Sequence, residues 1–226
     1  MQVDSVNNKS VNFKWNVKTH REMTLLALKD SGMGEAVKKK LAVTSQMPDF
    51  LKSERGYHNN THFYFPNSKR KSFGKDSDRL NAYNQFKEHV ITALVSKDDD
   101  NFLKHAGYAL HYLQDMTVPF HTEEGGVLHK ILKYSLHKEF ECETKFGVVT
   151  NHEKLIKNYK SQKVPYTTLL DLFKNTASFS QNPKFRVTNT NKKKWYSIQQ
   201  ECFDMGVNTT REFVEKLLSV RNSFNQ

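Results

Sequence analysis

The chain has 226 residues, 26% charged and 12% aromatic, so it has the makings of one globular domain with its own core and not of a disordered segment. No apolar run reaches the length of a membrane span, and the first 20 residues hold no apolar block; the protein is therefore expected either to stay inside the cell or to have lost a leader. A formal charge of +11, with clusters such as "SKRK" (68–71) and "NKKKW" (191–195), suits phosphate-rich partners, while for scattered lysines a solubilising surface is the favoured reading.

In chain order, "THREMTLLALKDSG" predicts a first helix, with Thr19 and Glu22 at capping-box spacing and a close near Gly32. "EAVKKKLAV" predicts a second. Residues 45–80 are rich in Pro, Gly, Asn and Ser without sustained periodicity, which predicts a long loop region of the kind that carries function. "DRLNAYNQFKEHVITALV" and "DNFLKHAGYALHYLQDM" predict consecutive helices, the second apolar on most sides, hence central, and ended by Pro119. Leu128, Leu132, Leu136 and Phe140 form a helical row, and further helices are predicted over 165–175 and about 196–221. The expected fold is all-α, a single compact multi-helix domain. Cys142 and Cys202 are too few for a disulfide framework or a thiolate metal cluster; one disulfide and two buried thiols both remain open.

The segment "HAGYALHYLQDMTVPFH" (105–121) concentrates the chemistry. His111 and Asp115 are four apart, so they share a helix face, and His121 follows just past Pro119. "HKEFE" repeats the device with His137 and Glu141. Singly, such pairs are commonly surface ion pairs or satisfied core contacts. Together, on mostly apolar helices, they would be costly to bury without a shared partner, and imidazole with carboxylate suits zinc. Asp49, His58 and His62 lie in the long loop, and Trp15 and His20 lie near the start. Five histidines (20, 62, 111, 121, 137) and three carboxylates (Asp49, Asp115, Glu141) exceed the needs of one zinc and fit two or three. His105, six residues before His111, is assigned no role, and His89, His129 and His152 read as surface or structural residues.

The order W-x4-H, D, HFY-x-P, H-x3-D-x5-H and H-x3-E resembles the zinc-dependent phospholipase C and single-strand-specific nuclease superfamily. The resemblance is strongest over 105–141 and extends from Trp15 to His62. It implies an all-helical domain holding three Zn2+ ions in a cleft: the first on Asp49, His62, His111 and Asp115, the second on His121, His137 and Glu141. The third would take His20, the shared Asp115 and the Trp15 main chain. Family members begin at the tryptophan, whereas 14 residues precede Trp15 here, so residues 1–14 are expected to be an extension or propeptide remnant before a domain of 15–226. Cleavage of Lys14–Trp15, or a weakly held third metal, follows. His58 is the alternative to His62; His62 is preferred because "HFYFP" matches the family's aromatic-flanked histidine, with Phe65 where an aspartate is often found.

The resemblance implies phosphodiester hydrolysis, with Asp49 as general base or water orienter. The lipase form cleaves a glycerophospholipid to diacylglycerol and a phosphorylated head group. "HKEFE" matches that form, and Phe63, Tyr64 and Phe65 would contact head group or acyl chains, although core packing explains such aromatics equally well. The alternative is a single-strand-specific nuclease acting on DNA or RNA, favoured by the five-residue step from Trp15 to His20 and by the net charge. A helical module with purely structural zinc is the third reading, disfavoured because structural sites are usually cysteine-rich. The expected partner is a phospholipid membrane surface, the expected state a monomer, and, by family analogy, the expected location is outside the cell.

Overall fold

A computed structural model of the chain describes residues 17–51, 62–64, 81–122, 136, 140 and 152–224. Among them the regular structure is helical, with no strand. The helices are α1 (Val17–Ala27), α2 (Glu35–Thr44), α3 (Asn81–Val95), α4 (Asp99–Asp115), the single turn α5 (Pro119–Thr122), α6 (His152–Lys157), α7 (Leu169–Ser180) and α8 (Trp195–Phe224). A 3-10 turn over Met47–Asp49, with Pro48 in its first turn, follows α2. No described helix is long and apolar enough to cross a membrane.

Helix α4 is the axis of the domain, as its apolarity on most sides predicts. Asp98 caps it by accepting from the Asn101 amide at 2.7 Å, and Asp99 and Asp100 favour the positive helix start. Every residue from Ala106 to Asp115 is buried. Helices α2, α3 and α8 pack around it, and α1 packs on α2 and α8. One apolar cluster joins α3, α4, α7 and α8 through Phe86, Leu110, Phe173 and Phe213. A second joins α1, Phe140 and α8 through Met23, Trp195 and Phe203.

Two glycines set how closely these helices approach. A Cβ on Gly107 of α4 would stand 1.9 Å from Thr44 Oγ1, so α2 can lie on α4 only because that position is bare. A Cβ on Gly206 of α8 would stand 2.6 Å from Met23 Sδ of α1.

Several sequence expectations need correction. Thr19 does not cap α1: it is buried inside a helix already formed at Val17. Pro119 does not end α4, which stops at Asp115; with its fixed φ and missing N–H it opens the next turn instead. The helix expected over 165–175 spans Leu169–Ser180, because Thr168 and Asp171 form a capping box there. The short α6 was not expected. The row from Leu128 to Phe140 lies mostly outside the described residues, of which Leu136 and Phe140 are helical.

Candidate metal centre

Four separate stretches deliver side chains to one buried point. Helix α1 supplies His20, the 3-10 turn after α2 supplies Asp49, the segment 62–64 supplies His62, and the last turn of α4 supplies His111 and Asp115. His20, His62, His111 and Asp115 are each 0% exposed, and Asp49 is 3% exposed. Ligand atoms of His20, Asp49 and His111 lie within 4.8 Å of one another, as do those of His62, His111 and Asp115. His62 Nδ1 is 2.7 Å from Asp115 Oδ2 and 3.1 Å from His111 Nε2. His111 Nε2 is also 3.4 Å from Asp115 Oδ2 and 3.6 Å from Asp49 Oδ1. The i, i+4 spacing read in the sequence produces this last-turn pair.

Surrounding hydrogen bonds decide which ring nitrogens face inward. The Thr24 hydroxyl donates to the His20 carbonyl at 2.9 Å, so it can only accept from the Gln114 amide, 3.0 Å away. That turns the Gln114 carboxamide oxygen toward His20 Nδ1 at 2.8 Å, and the imidazole donates to it. His20 Nε2 is therefore a lone pair, and it points at Asp115 Oδ1, 3.5 Å away. His111 is set in the same way: Nδ1 donates to the Ser45 carbonyl at 2.9 Å, leaving the Nε2 lone pair to face the carboxylates. On α5, His121 Nδ1 donates to the His62 carbonyl at 2.9 Å. Metal-binding histidines are characteristically oriented by such partners.

The result is a buried point ringed by electron-rich atoms. His20 Nε2 and Asp115 Oδ1 are enclosed and neither makes a hydrogen bond; two facing acceptors of this kind are stable only with positive charge between them. Two ligands bonded to one zinc at about 2.0–2.1 Å in tetrahedral array stand about 3.3 Å apart. The separations of His111 Nε2 from Asp115 Oδ2, 3.4 Å, and from Asp49 Oδ1, 3.6 Å, suit that spacing. The donor set fits zinc.

Ionisation points the same way. Burial, reinforced by the neighbouring His111, lowers the His20 pKa to about 4, so its imidazole is neutral near pH 7 and ready to ligate. Burial alone pushes Asp115 upward, but electrostatic attraction to His111 and His121 and the hydrogen bond from His62 outweigh it, holding the carboxyl well below its ordinary value. It is a carboxylate.

No protein-family model and no curated protein matches the chain. Among solved structures, it is similar to an alpha toxin from Clostridium absonum at 16% identity, with a TM-score of 0.49. The match spans 97% of this chain and 65% of that one, so this chain covers less than two thirds of that protein's length. In residue order, the chain resembles the zinc-dependent phospholipase C and nuclease superfamily from Trp15 to Glu141.

Of the sequence candidates, His20, Asp49, His62, His111 and Asp115 are brought together. His121 is buried beside them, its ring stacked on the half-buried Phe63 at 5.2 Å. Tyr64 is 4% exposed and packs on Tyr83 and Phe173 in the core. Trp15, His58, Phe65, His137 and Glu141 lie outside the described residues, as does the 1–14 extension. Sequence reasoning missed Gln114, which ties α1, α4 and α8 together through His20, Thr24 and Thr210. Its one signal was a glutamine in the buried stretch of a mostly apolar helix, next to Asp115.

Proposed function

We propose that the chain is a zinc-dependent phosphodiester hydrolase of the phospholipase C type, cleaving glycerophospholipids to diacylglycerol and a phosphorylated head group. The observation that carries this is the facing, unbonded pair of His20 Nε2 and Asp115 Oδ1 at the meeting point of five ligand-type side chains. The proposed ligands are Asp49, His62, His111 and Asp115, then His121, His137 and Glu141, then His20, Asp115 and Trp15. The last set would require Trp15 to become the amino terminus, by cleavage after Lys14. When bound, zinc supplies Lewis acidity toward the phosphate oxygens and the attacking water.

The protein's own groups do the rest. Gln114 and the Ser45 carbonyl hold His20 and His111 in the tautomers that present Nε2. Asp49, carried on a short turn at the edge of the group, takes the proton from the water as its oxygen bonds to phosphorus. The phosphorus–oxygen bond to the glycerol carbon chain breaks, and the departing alkoxide takes up a proton. Phe63, half-buried against His121, offers an aromatic wall to the substrate; Phe65 would extend it. Tyr64, inside the core, supports that wall from behind. The glutamate-ended motif at His137 and Glu141 favours lipid over nucleic acid, and the charge of +11 favours an anionic membrane surface. The enzyme would act outside the cell, as a monomer.

The test is metal content measured together with hydrolysis of phosphatidylcholine vesicles and of single-stranded DNA, with and without chelator. Bound zinc and chelator-sensitive release of phosphorylated head group are expected. Cleavage of the DNA alone would transfer the proposal to the nuclease branch, and metal-free protein unaffected by chelator would end it.

A further inference from the structure

His89 and His105 form a second imidazole pair, outside the centre described above. His89 is on α3 and His105 on α4, and their Nδ1 atoms are 3.0 Å apart. His89 is 5% exposed, whereas His105 is half-buried and reaches the surface. Tyr108 meets both rings, edge-on to His89 at 5.2 Å and at 5.7 Å from His105. Tyr112 stacks on His89 with ring planes 15° apart.

We propose that His89 and His105 form a separate two-histidine site for a borderline transition-metal dication, of which Zn2+ is the one tested, clamping α3 to α4. Adjacent ligands bonded to such an ion at about 2.0–2.1 Å stand about 2.8–3.4 Å apart, depending on whether they subtend a square or tetrahedral angle. The observed 3.0 Å falls within that interval. The two nitrogens already stand at ligand spacing, and an ion bonded to both would sit about 1.4 Å off the line joining them, so the rings and not the helices turn to meet it. The tyrosine walls limit that turn, so little side-chain freedom is lost on binding. Because His105 reaches the surface, water completes the coordination.

The ligand set carries no negative charge, and the Lys104 ammonium lies 5.8 Å from the centre of the Tyr108 ring. Binding is therefore weaker than at the carboxylate-bearing centre and follows it as zinc rises. Tyr112 joins the two places: its ring is 5.2 Å from that of His62 and 5.4 Å from that of His111.

The experiment dialyses wild-type protein and the His105→Gln variant against the same rising zinc concentrations, counts bound metal, and records the melting temperature. Glutamine keeps a hydrogen-bonding group beside His89 but removes the ligand, and the position is half-exposed, so the fold is retained. Wild type is expected to bind one more equivalent than the variant and, once the main centre is filled in both, to show a further zinc-dependent rise in melting temperature that the variant lacks. Equal metal counts would overturn the site. The readout is a difference between two proteins, so it stands or falls separately from the main centre and from the activity proposed for it. His89→Gln is the second variant, expected to lose the same equivalent; should burial of His89 prevent it from folding, His105→Gln alone decides.

Discussion

Replacing Gln114 with leucine tests whether the ring orientations at the centre are built in. The glutamine accepts from His20 Nδ1 at 2.8 Å and donates to Thr24 at 3.0 Å and Thr210 at 2.9 Å. Leucine is of similar size but makes none of these bonds. The buried His20 N–H then lacks its acceptor, which costs about 1–3 kcal/mol. The two threonine oxygens each lose a donor, about 0.5–1.5 kcal/mol apiece, partly offset by the added apolar burial of about 1 kcal/mol. Net destabilisation of about 1–5 kcal/mol is expected in urea unfolding of the chelated protein. With the tautomer of His20 no longer fixed, zinc affinity should fall about 10- to 100-fold in competition with a chromophoric chelator. A leucine variant within about 0.5 kcal/mol of wild type and binding zinc equally well would refute the reasoning.

Gly107→Ala should destabilise the protein by about 1–3 kcal/mol or more, since the new methyl collides with Thr44; Gly34→Ala, with nothing within 4 Å, is the near-neutral control in the same melts. Asp49→Asn should nearly abolish turnover while leaving much of the zinc bound, as metal counting beside activity would show; near-normal turnover would remove Asp49 as the base. Acid should weaken the chelated protein. The unfolded chain protonates His20 near pH 6.5 and the folded chain only near pH 4, so stability falls as pH drops between those values, by about 3 kcal/mol from this residue. The depressed Asp115 adds a further loss below the ordinary carboxylate range, because its contribution is present above that range and disappears as the carboxyl protonates. His20→Gln should flatten the upper part of this profile, and a protein that gains stability on acidification from pH 7 to pH 4 would contradict it.

The sequence made α4 and its chemistry legible because two periodicities coincide there. Apolar residues surround the helix, and His111 and Asp115 interrupt them four apart. His20, Asp49 and His62 were found through their order along the chain; no local pattern shows that α1, the turn at Pro48 and the segment at His62 meet over the end of a helix as many as 94 residues away. The orienting groups were not legible at all. The Ser45 carbonyl is main chain, and Gln114 looks like any polar helix residue until Thr24 and Thr210 stand beside it. Boundaries failed where two signals competed. Pro119 reads as a helix breaker, but proline also starts helices, and that use prevailed. His105 was set aside because it cannot reach the metal of His111; the missing piece was a partner on another helix, His89.

Anomalous diffraction at the zinc absorption edge, from crystals of protein purified without added chelator, tests the metal centre most directly. Peaks are expected between His20 Nε2 and the Asp115 carboxylate and beside His111 Nε2 and Asp49. A fully folded crystal with no anomalous peak among these side chains, grown in the presence of zinc, would contradict the account.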